Sequence, residues 1–234
     1  MIDYGLMRGV RRRLTAKRFF YDYEYDENLR HFCKCLQFIR GNRIEGDILE
    51  FGVFRGATLI IIDEIIKRIM NGEHQKSPQI YGFDSFEGLP EPKGKDTKHP
   101  EFRRGKYRCT KEDLLQRLRK AKVNIEKVHI VEGWYEDVLT SDLRKQLGIK
   151  KASLIDIDCD LYQSTVTALN WCEPSIGQGT IISFDDWYCY EGRPDHGEQH
   201  AFNQFLALHP DITAKPFSEY SWHGKSFIIT RNSR

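Results

Sequence analysis

The chain has 234 residues, 40% of them hydrophobic, and a formal net charge of +2. That length suits one substantial α/β core and is too short for two ordinary domains, while so balanced a charge argues against nucleic acid or another polyelectrolyte as the main partner. No apolar stretch approaches a membrane span of roughly 18 residues, and no signal-like apolar segment opens the chain, so no membrane partner is expected and the expected compartment is the cytoplasm.

Arg8, Arg11, Arg12, Arg13, Lys17 and Arg18 give a basic start, which reads as a solvated terminus. Leu29, Phe32, Cys33, Leu36 and Ile39 then recur at helical spacing until Gly41-Asn42 stops the run. This predicts an N-terminal helical extension over residues 1–40, lying against a sheet or over a cofactor, ahead of a main domain over 41–234. From there strands and helices alternate: strand 47–51, helix 57–70 closed by Asn71-Gly72, strand 79–84, helix 111–121 opened by Thr110 and Asp113, and strand 127–132. A helix over 136–147, strand 152–158, helix 164–172 and strand 179–184 follow, and 211–217 and 225–230 read as two strands around a polar turn. The alternation implies a doubly wound, mostly parallel sheet with helices on both faces and an antiparallel C-terminal end. Residues 89–108 lack periodicity and follow a strand's C-terminal end, where ligands bind in open α/β sheets, so they are expected to form a lid.

The segment D-I-L-E-F-G-V-F-R-G-A-T from Asp47 to Thr58 reads as a strand, a tight loop with Gly52 and Gly56, and a helix start. Such a loop lets backbone approach a nucleotide-like ligand. The second glycine of a dinucleotide fingerprint is missing, and the next acidic strand end, Asp84, comes later than that fingerprint requires. The E-x-G-x-x-x-G pattern fits S-adenosylmethionine better, with Glu50 answering its positive charge and Asp84 binding its ribose hydroxyls.

Two later strand ends are acidic: Asp156, Asp158 and Asp160 close one, Asp185 and Asp186 the next. Gathered carboxylates repel unless a cation sits among them. If the strands are neighbours, Asp158, Asp185 and Asp186 make an oxygen-only set that suits Mg2+, or Mn2+ as a substitute, with the chain turning at Trp187 so that both adjacent aspartates reach one ion. Asp156 and Asp160 are expected to serve as caps or loop hydrogen-bonders. The six cysteines lack a C-x-x-C pair and are expected to be free, with Cys33 of the Cys33-Lys34-Cys35 run packing into the core.

The segments E-F-G-V-F-R-G-A-T, Y-G-F-D-S-F-E-G-L-P-E-P, V-E-G-W-Y-E-D-V-L, D-C-D-L-Y-Q-S-T and F-D-D-W, in this order between Asp47 and Leu206, closely resemble the macrocin O-methyltransferase family, whose members methylate sugar hydroxyls. The resemblance implies a class I, Rossmann-like methyltransferase domain, S-adenosylmethionine as donor and a magnesium ion that binds the acceptor. By motif, Glu50, Gly52, Phe54 and Gly56 would line the methionine end of the cofactor, Asp84 with Ser85 its ribose, and Gly133 with Trp134 its adenine; Asp158, Asp185 and Asp186 match the metal ligands. Members commonly carry a histidine base after D-S-F-E-G, and His99 is the candidate in that region. His196, Glu198, His200, Trp187 and Tyr188 are further candidates for contact with a small hydroxylated, sugar-containing acceptor. The expected activity is S-adenosylmethionine- and Mg2+-dependent O-methylation with Asp158 and His99 as catalytic residues. A nicotinamide-dependent oxidoreductase and a non-catalytic metal-binding module are the rival readings, and homo-oligomerisation is left open.

Overall fold

The sheet's strands are short apolar runs, and their alternation with amphipathic helices decides the layers of the computed structural model, which describes residues 16–70 and 77–232. The basic Arg8–Arg13 segment and Asn71-Gly72 lie outside the described residues, as do the side chains of Lys17 and Arg18. The elements run α1 (Ala16–Gly41), β1 (Asp47–Phe51), α2 (Ala57–Ile69), β2 (Ile80–Asp84), α3 (Lys111–Lys120), β3 (Val128–Glu132), α4 (Tyr135–Val138) and α5 (Ser141–Leu147). They continue through β4 (Ala152–Ile157), α6 (Tyr162–Cys172), β5 (Ile181–Phe184), α7 (Gly197–Leu208), β6 (Ile212–Tyr220) and β7 (Gly224–Arg231). None of the described helices is long and apolar enough to cross a membrane.

The seven strands are ordered β3-β2-β1-β4-β5-β7-β6. The pairs from β3 to β5 are parallel, whereas β7 runs antiparallel to both β5 and β6. One face packs Ile48, Leu154 and Ile181 against Leu36 and Ile39 of α1, Leu59 and Ile62 of α2 and Leu114 of α3. The other packs Phe51, Ile157 and Phe184 against Leu169 and Trp171 of α6 and Phe202 of α7. Each fully buried Leu or Ile here contributes roughly 1.5–3 kcal/mol, so the α1 residues belong to the core that holds the sheet. Cys35, not Cys33, is the fully buried member of its pair, because position 35 lies one turn after His31 on the inward face. All six cysteines are free.

Three expected elements differ in detail. The 136–147 segment divides into α4 and α5, because Thr140 takes extended backbone and its side chain caps α5 by accepting from the Leu143 N–H. Residues 94–98 form a short 3-10 turn inside the otherwise irregular 89–108 loop. The segment after the second acidic strand end contains α7, whose N-cap is His196. Thr110 caps α3 by accepting from the Asp113 N–H at 3.1 Å. Thr110→Ala should therefore cost about 1 kcal/mol, lowering the melting temperature by about 2–4 °C while leaving ligand binding unchanged, as a thermal melt with and without ligand would register.

Candidate active site

The C-terminal ends of β1, β2, β4 and β5 are zipped by backbone hydrogen bonds that continue one step past the strands. Gly52 N–H donates to Phe83 O, Asp158 N–H to Phe51 O and Asp185 N–H to Ile157 O. The approach is so close at Gly52 that a Cβ there would lie 1.7 Å from the Asp158 carbonyl oxygen, and the residue has φ +94°, a conformation that favours glycine. Asp84 closes the loop from the other side. Its Oδ2 accepts from the Val53 and Phe54 N–H groups at 2.8 and 2.9 Å, and its Oδ1 accepts from Phe86 N–H at 2.7 Å.

Above these ends lies a cavity of about 520 Å³, lined among others by Gly52, Phe54, Asp84, Ser85, Trp134, Asp158, Asp185 and Asp186. Gly56 and Gly133 do not line it. They shape the loops instead: Gly56 is the left-handed N-cap of α2, and a Cβ on Gly133 would strike Val138 at 2.4 Å. Glu50 is also off the cavity wall, a correction to its expected place beside a cofactor. Its side chain is buried next to Asp156, its register partner across the sheet. Burial, with the neighbouring Asp156 and Asp84 carboxylates adding to it, raises the Glu50 pKa well above its ordinary range.

Asp158, Asp185 and Asp186 each offer an oxygen, and the three atoms all lie within 4.8 Å of one another. Burial and the repulsion of Asp185 and Asp186 push the Asp158 pKa up, and Asp185 is raised to about 6. Such a set suits a hard divalent cation, which would relieve the repulsion that the carboxylates otherwise impose on one another. The adjacent Asp185 and Asp186 both reach this point because Glu198, at the start of α7, accepts from the Asp186 N–H at 2.9 Å and fixes the turn after β5.

Several acceptor candidates have other duties. Glu198 braces that turn, His196 is buried beside Asp195, and His200 stacks on Tyr162. Trp187 is buried among Phe184, Phe202 and Phe227, while the Tyr188 hydroxyl donates to Glu219. None of these five lines the cavity.

His99 does line it, with its ring stacked 3.9 Å from Phe102 and its Nδ1 buried and without a hydrogen-bond partner. Burial lowers its pKa against the opposing pull of Asp186 and Glu101. The 89–108 loop as a whole forms one wall, through Leu89, Pro90, His99, Phe102 and Tyr107.

Four contributors escaped sequence reasoning. Asp160, expected as a cap, has φ +63° and faces the cavity, where burial and the carboxylates of Asp186 and Asp185 raise its pKa. His223, from the turn between β6 and β7, hydrogen-bonds through Nδ1 to the Asp185 carbonyl oxygen and lies 3.7 Å from its carboxylate. Burial alone would lower the His223 pKa, but the Asp185 carboxylate and carbonyl outweigh it and raise it. Glu24 of α1 and Trp222 complete the mouth. The D-C-D spacing held a signal for Asp160; nothing in local sequence joins residue 24 or 223 to residue 185, since tertiary packing of the chain's two ends does so.

Beneath the carboxylates a polar column enters the core. Asp156 lies two residues before Asp158 and pairs in register with Ser183, two before Asp185. Ser183 Oγ meets His31 Nε2 at 2.9 Å and the Tyr220 hydroxyl at 3.0 Å, and the His31 ring stacks on Tyr220 at 3.8 Å. Burial, with Lys34 adding to it, lowers the His31 pKa to about 3, which keeps the ring neutral. Asp156 therefore serves this column rather than a helix cap.

Comparison with known proteins adds an independent line. The family described as macrocin O-methyltransferase (TylF) matches residues 19–216. The demethyldecarbamoylnovobiocin O-methyltransferase of Streptomyces niveus is 27% identical over 166 residues, which are 69% of this chain and 59% of that protein. The mycinamicin III 3''-O-methyltransferase of Micromonospora griseorubida is 25% identical over 189 residues, 75% of this chain and 68% of that protein. The chain thus spans about three fifths of the length of the first of these relatives. In three dimensions it is similar to the O-methyltransferase NovP, with a TM-score of 0.72 at 23% identity over 88% of this chain and 80% of that one. The calicheamicin methyltransferase CalS11 follows at 0.70 and 20% identity, over 92% and 80%. Both share the class I methyltransferase fold.

Proposed function

Because the chain belongs to the macrocin O-methyltransferase family, we propose that it transfers a methyl group from S-adenosylmethionine to a hydroxyl of a sugar-containing small molecule, with a divalent cation, magnesium in the first place, at Asp158, Asp185 and Asp186. The observation that carries this reading is the convergence of those three carboxylates, with oxygens within 4.8 Å of one another, on the wall of a cavity that also holds the Gly52 loop. An oxygen-only donor set without thiolate fits magnesium. Gly52, Phe54, Asp84, Ser85 and Trp134 are the cavity residues that would hold the donor, and the sugar-bearing acceptor class is suggested by a Streptomyces olivaceus relative, 27% identical, whose name carries a rhamnosyl group.

When bound, the sulfonium donor supplies an electrophilic methyl group and the cation supplies positive charge that lowers the acceptor hydroxyl's pKa. The protein's part is to hold donor and acceptor oxygen in line, a positioning effect that can reach about 7 kcal/mol or more, and to receive a proton. His99 suits that role because its Nδ1 is free of partners and its lowered pKa leaves the ring neutral at neutral pH. His99→Ala should lower kcat by about 10²–10⁴-fold with donor affinity unchanged. In the intact enzyme kcat/KM should fall at acid pH with a midpoint below 6.5, and the variant should lose that limb. Retention of the limb in the variant would move the role to Asp160.

The reading as a whole is tested by incubating the protein with labelled S-adenosylmethionine and a panel of glycosides, with chelator and after magnesium is restored. Label transfer that requires the cation is expected. Binding of a nicotinamide cofactor in place of S-adenosylhomocysteine, or transfer undiminished by chelator, would overturn it.

A further inference from the structure

The turn after β5 gathers a second donor set, different in kind from the three aspartates. Asp186 and Cys189 stand three residues apart, and the Cys189 N–H donates to the Asp186 carbonyl oxygen at 3.1 Å, so that the two side chains meet: the Cys189 thiol donates to Asp186 Oδ1 at 3.0 Å. The third member comes from the far end of the chain. Tyr188 N–H donates to the His223 carbonyl oxygen at 3.0 Å, and His223 Nδ1 donates to the Asp185 carbonyl oxygen, which ties the β6–β7 turn to the β5 turn through both backbone and ring. An Asp186 carboxylate oxygen, the Cys189 sulfur and a ring nitrogen of His223 all lie within 4.8 Å of one another, and all three residues line the cavity.

Bonds of about 2.0–2.3 Å around a tetrahedral zinc place its ligand atoms roughly 3.3–3.6 Å apart. The Cys189–Asp186 pair lies slightly inside that range, and closing the other separations from at most 4.8 Å is within the reach of side-chain rotation. A hydrogen bond from the imidazole to a backbone carbonyl, as His223 makes, is the device that orients metal-bound histidines. Thiolate and imidazole ligands select zinc-type ions, whereas the oxygen-only set suits magnesium. Asp186 is common to both sets. The cavity supplies an entry path and room for a water or acceptor oxygen as the fourth ligand.

We propose that Asp186, Cys189 and His223 form a second metal site, selective for zinc-type ions, and that an ion seated there withdraws Asp186 from the magnesium set and so inhibits the enzyme. Binding sends the thiol proton, and the imidazolium proton where the ring is charged, to solvent. The site itself goes beyond the methyl-transfer reading, and only the inhibition rests on it.

The test is a cobalt titration of the reduced, metal-free protein followed by absorbance, because a cysteine thiolate on cobalt gives a near-ultraviolet charge-transfer band that carboxylate ligands do not. A band saturating near about one equivalent is expected, and zinc should bleach it. Asp158→Asn should keep the band, which separates this site from the three aspartates. Cys189→Ser, an isosteric change at a half-buried position, should abolish it. His223→Gln should weaken cobalt binding by about 100-fold or more, beyond the loss that removal of an outer-shell partner brings. No band in the native chain, or a band that survives Cys189→Ser, overturns the site. In a methyl-transfer assay at saturating magnesium, half-inhibition of Cys189→Ser should need about tenfold or more zinc than half-inhibition of the native chain. Equal sensitivity overturns the inhibition. Absence of methyl transfer with every metal removes the methyl-transfer reading, while the cobalt band still decides the site.

Discussion

Asp158→Asn should leave the protein folded and able to bind S-adenosylhomocysteine with close to native affinity, yet reduce methyl transfer by about 10³-fold, on the order of 4 kcal/mol of transition-state stabilisation. The asymmetry follows from position. Asp158 supplies one of three oxygens that converge within 4.8 Å, whereas the backbone loop over which a donor would lie is held by Asp84. Equal loss of donor binding and turnover would count against the cation at this place. Stability supplies a second readout. In the metal-free protein Asp158 and Asp160 are raised well above ordinary carboxyl values and Asp185 to about 6. A carboxyl whose folded pKa exceeds its unfolded value of about 3.9 binds protons more tightly in the folded state. Metal-free stability should therefore rise as pH falls from 7 through about 6 toward 4, and it should be lost again as pH climbs through the folded values. Magnesium should abolish that trend and stabilise most at the alkaline end. Asp158→Asn should melt higher than the native chain in chelator and gain little from magnesium; an undiminished gain would refute the shared site.

Gly52→Ala should be among the most damaging single methyl additions this chain can receive. A Cβ at 1.7 Å from the Asp158 carbonyl oxygen cannot be absorbed by a side-chain rotation, because both partners are backbone and both are fixed by hydrogen bonds to β2 and β1. Strain at φ +94° adds to the clash. The expected cost exceeds about 3 kcal/mol, equivalent to a melting temperature lower by about 10 °C or more, together with loss of the site, because separating β1 from β4 moves Asp158. Gly177 offers the control, since a Cβ there meets nothing within 4 Å and its φ is not positive. A Gly52→Ala protein that melts within about 2 °C of native, when roughly 2–4 °C corresponds to 1 kcal/mol, would show that the two strand ends are not locked as described.

The strand positions were legible where the chain alternates cleanly. Apolar runs ending in Glu50, Asp84 and Asp158 fall on β1, β2 and β4 within a residue or so of their expected bounds, because strand pattern and flanking turn residues agree there. The family and the convergence of Asp158 with Asp185 and Asp186 were likewise readable, since both depend on residues at strand ends whose neighbours follow from a parallel sheet. What was not legible turns on depth rather than type. Glu50 and Asp84 both read as acidic strand ends, yet Glu50 faces Asp156 inside the sheet while Asp84, past the last apolar residue of β2, turns to the loop. Trp187 was expected to contact an acceptor and is core, whereas Trp222, within the polar turn expected between the last two strands, lines the cavity. Aromatic residues carry the same local signal in both settings, and only packing separates them.

The mouth of the cavity is shared by the first described helix and the last hairpin, through Glu24 and the Trp222-His223 turn. Occupancy of the cavity should therefore reach both the first described helix and the last hairpin. Amide exchange in α1 and in the β6–β7 turn should slow together on saturation, and a protease that nicks either end should report, by its slowing, how full the other end's pocket is.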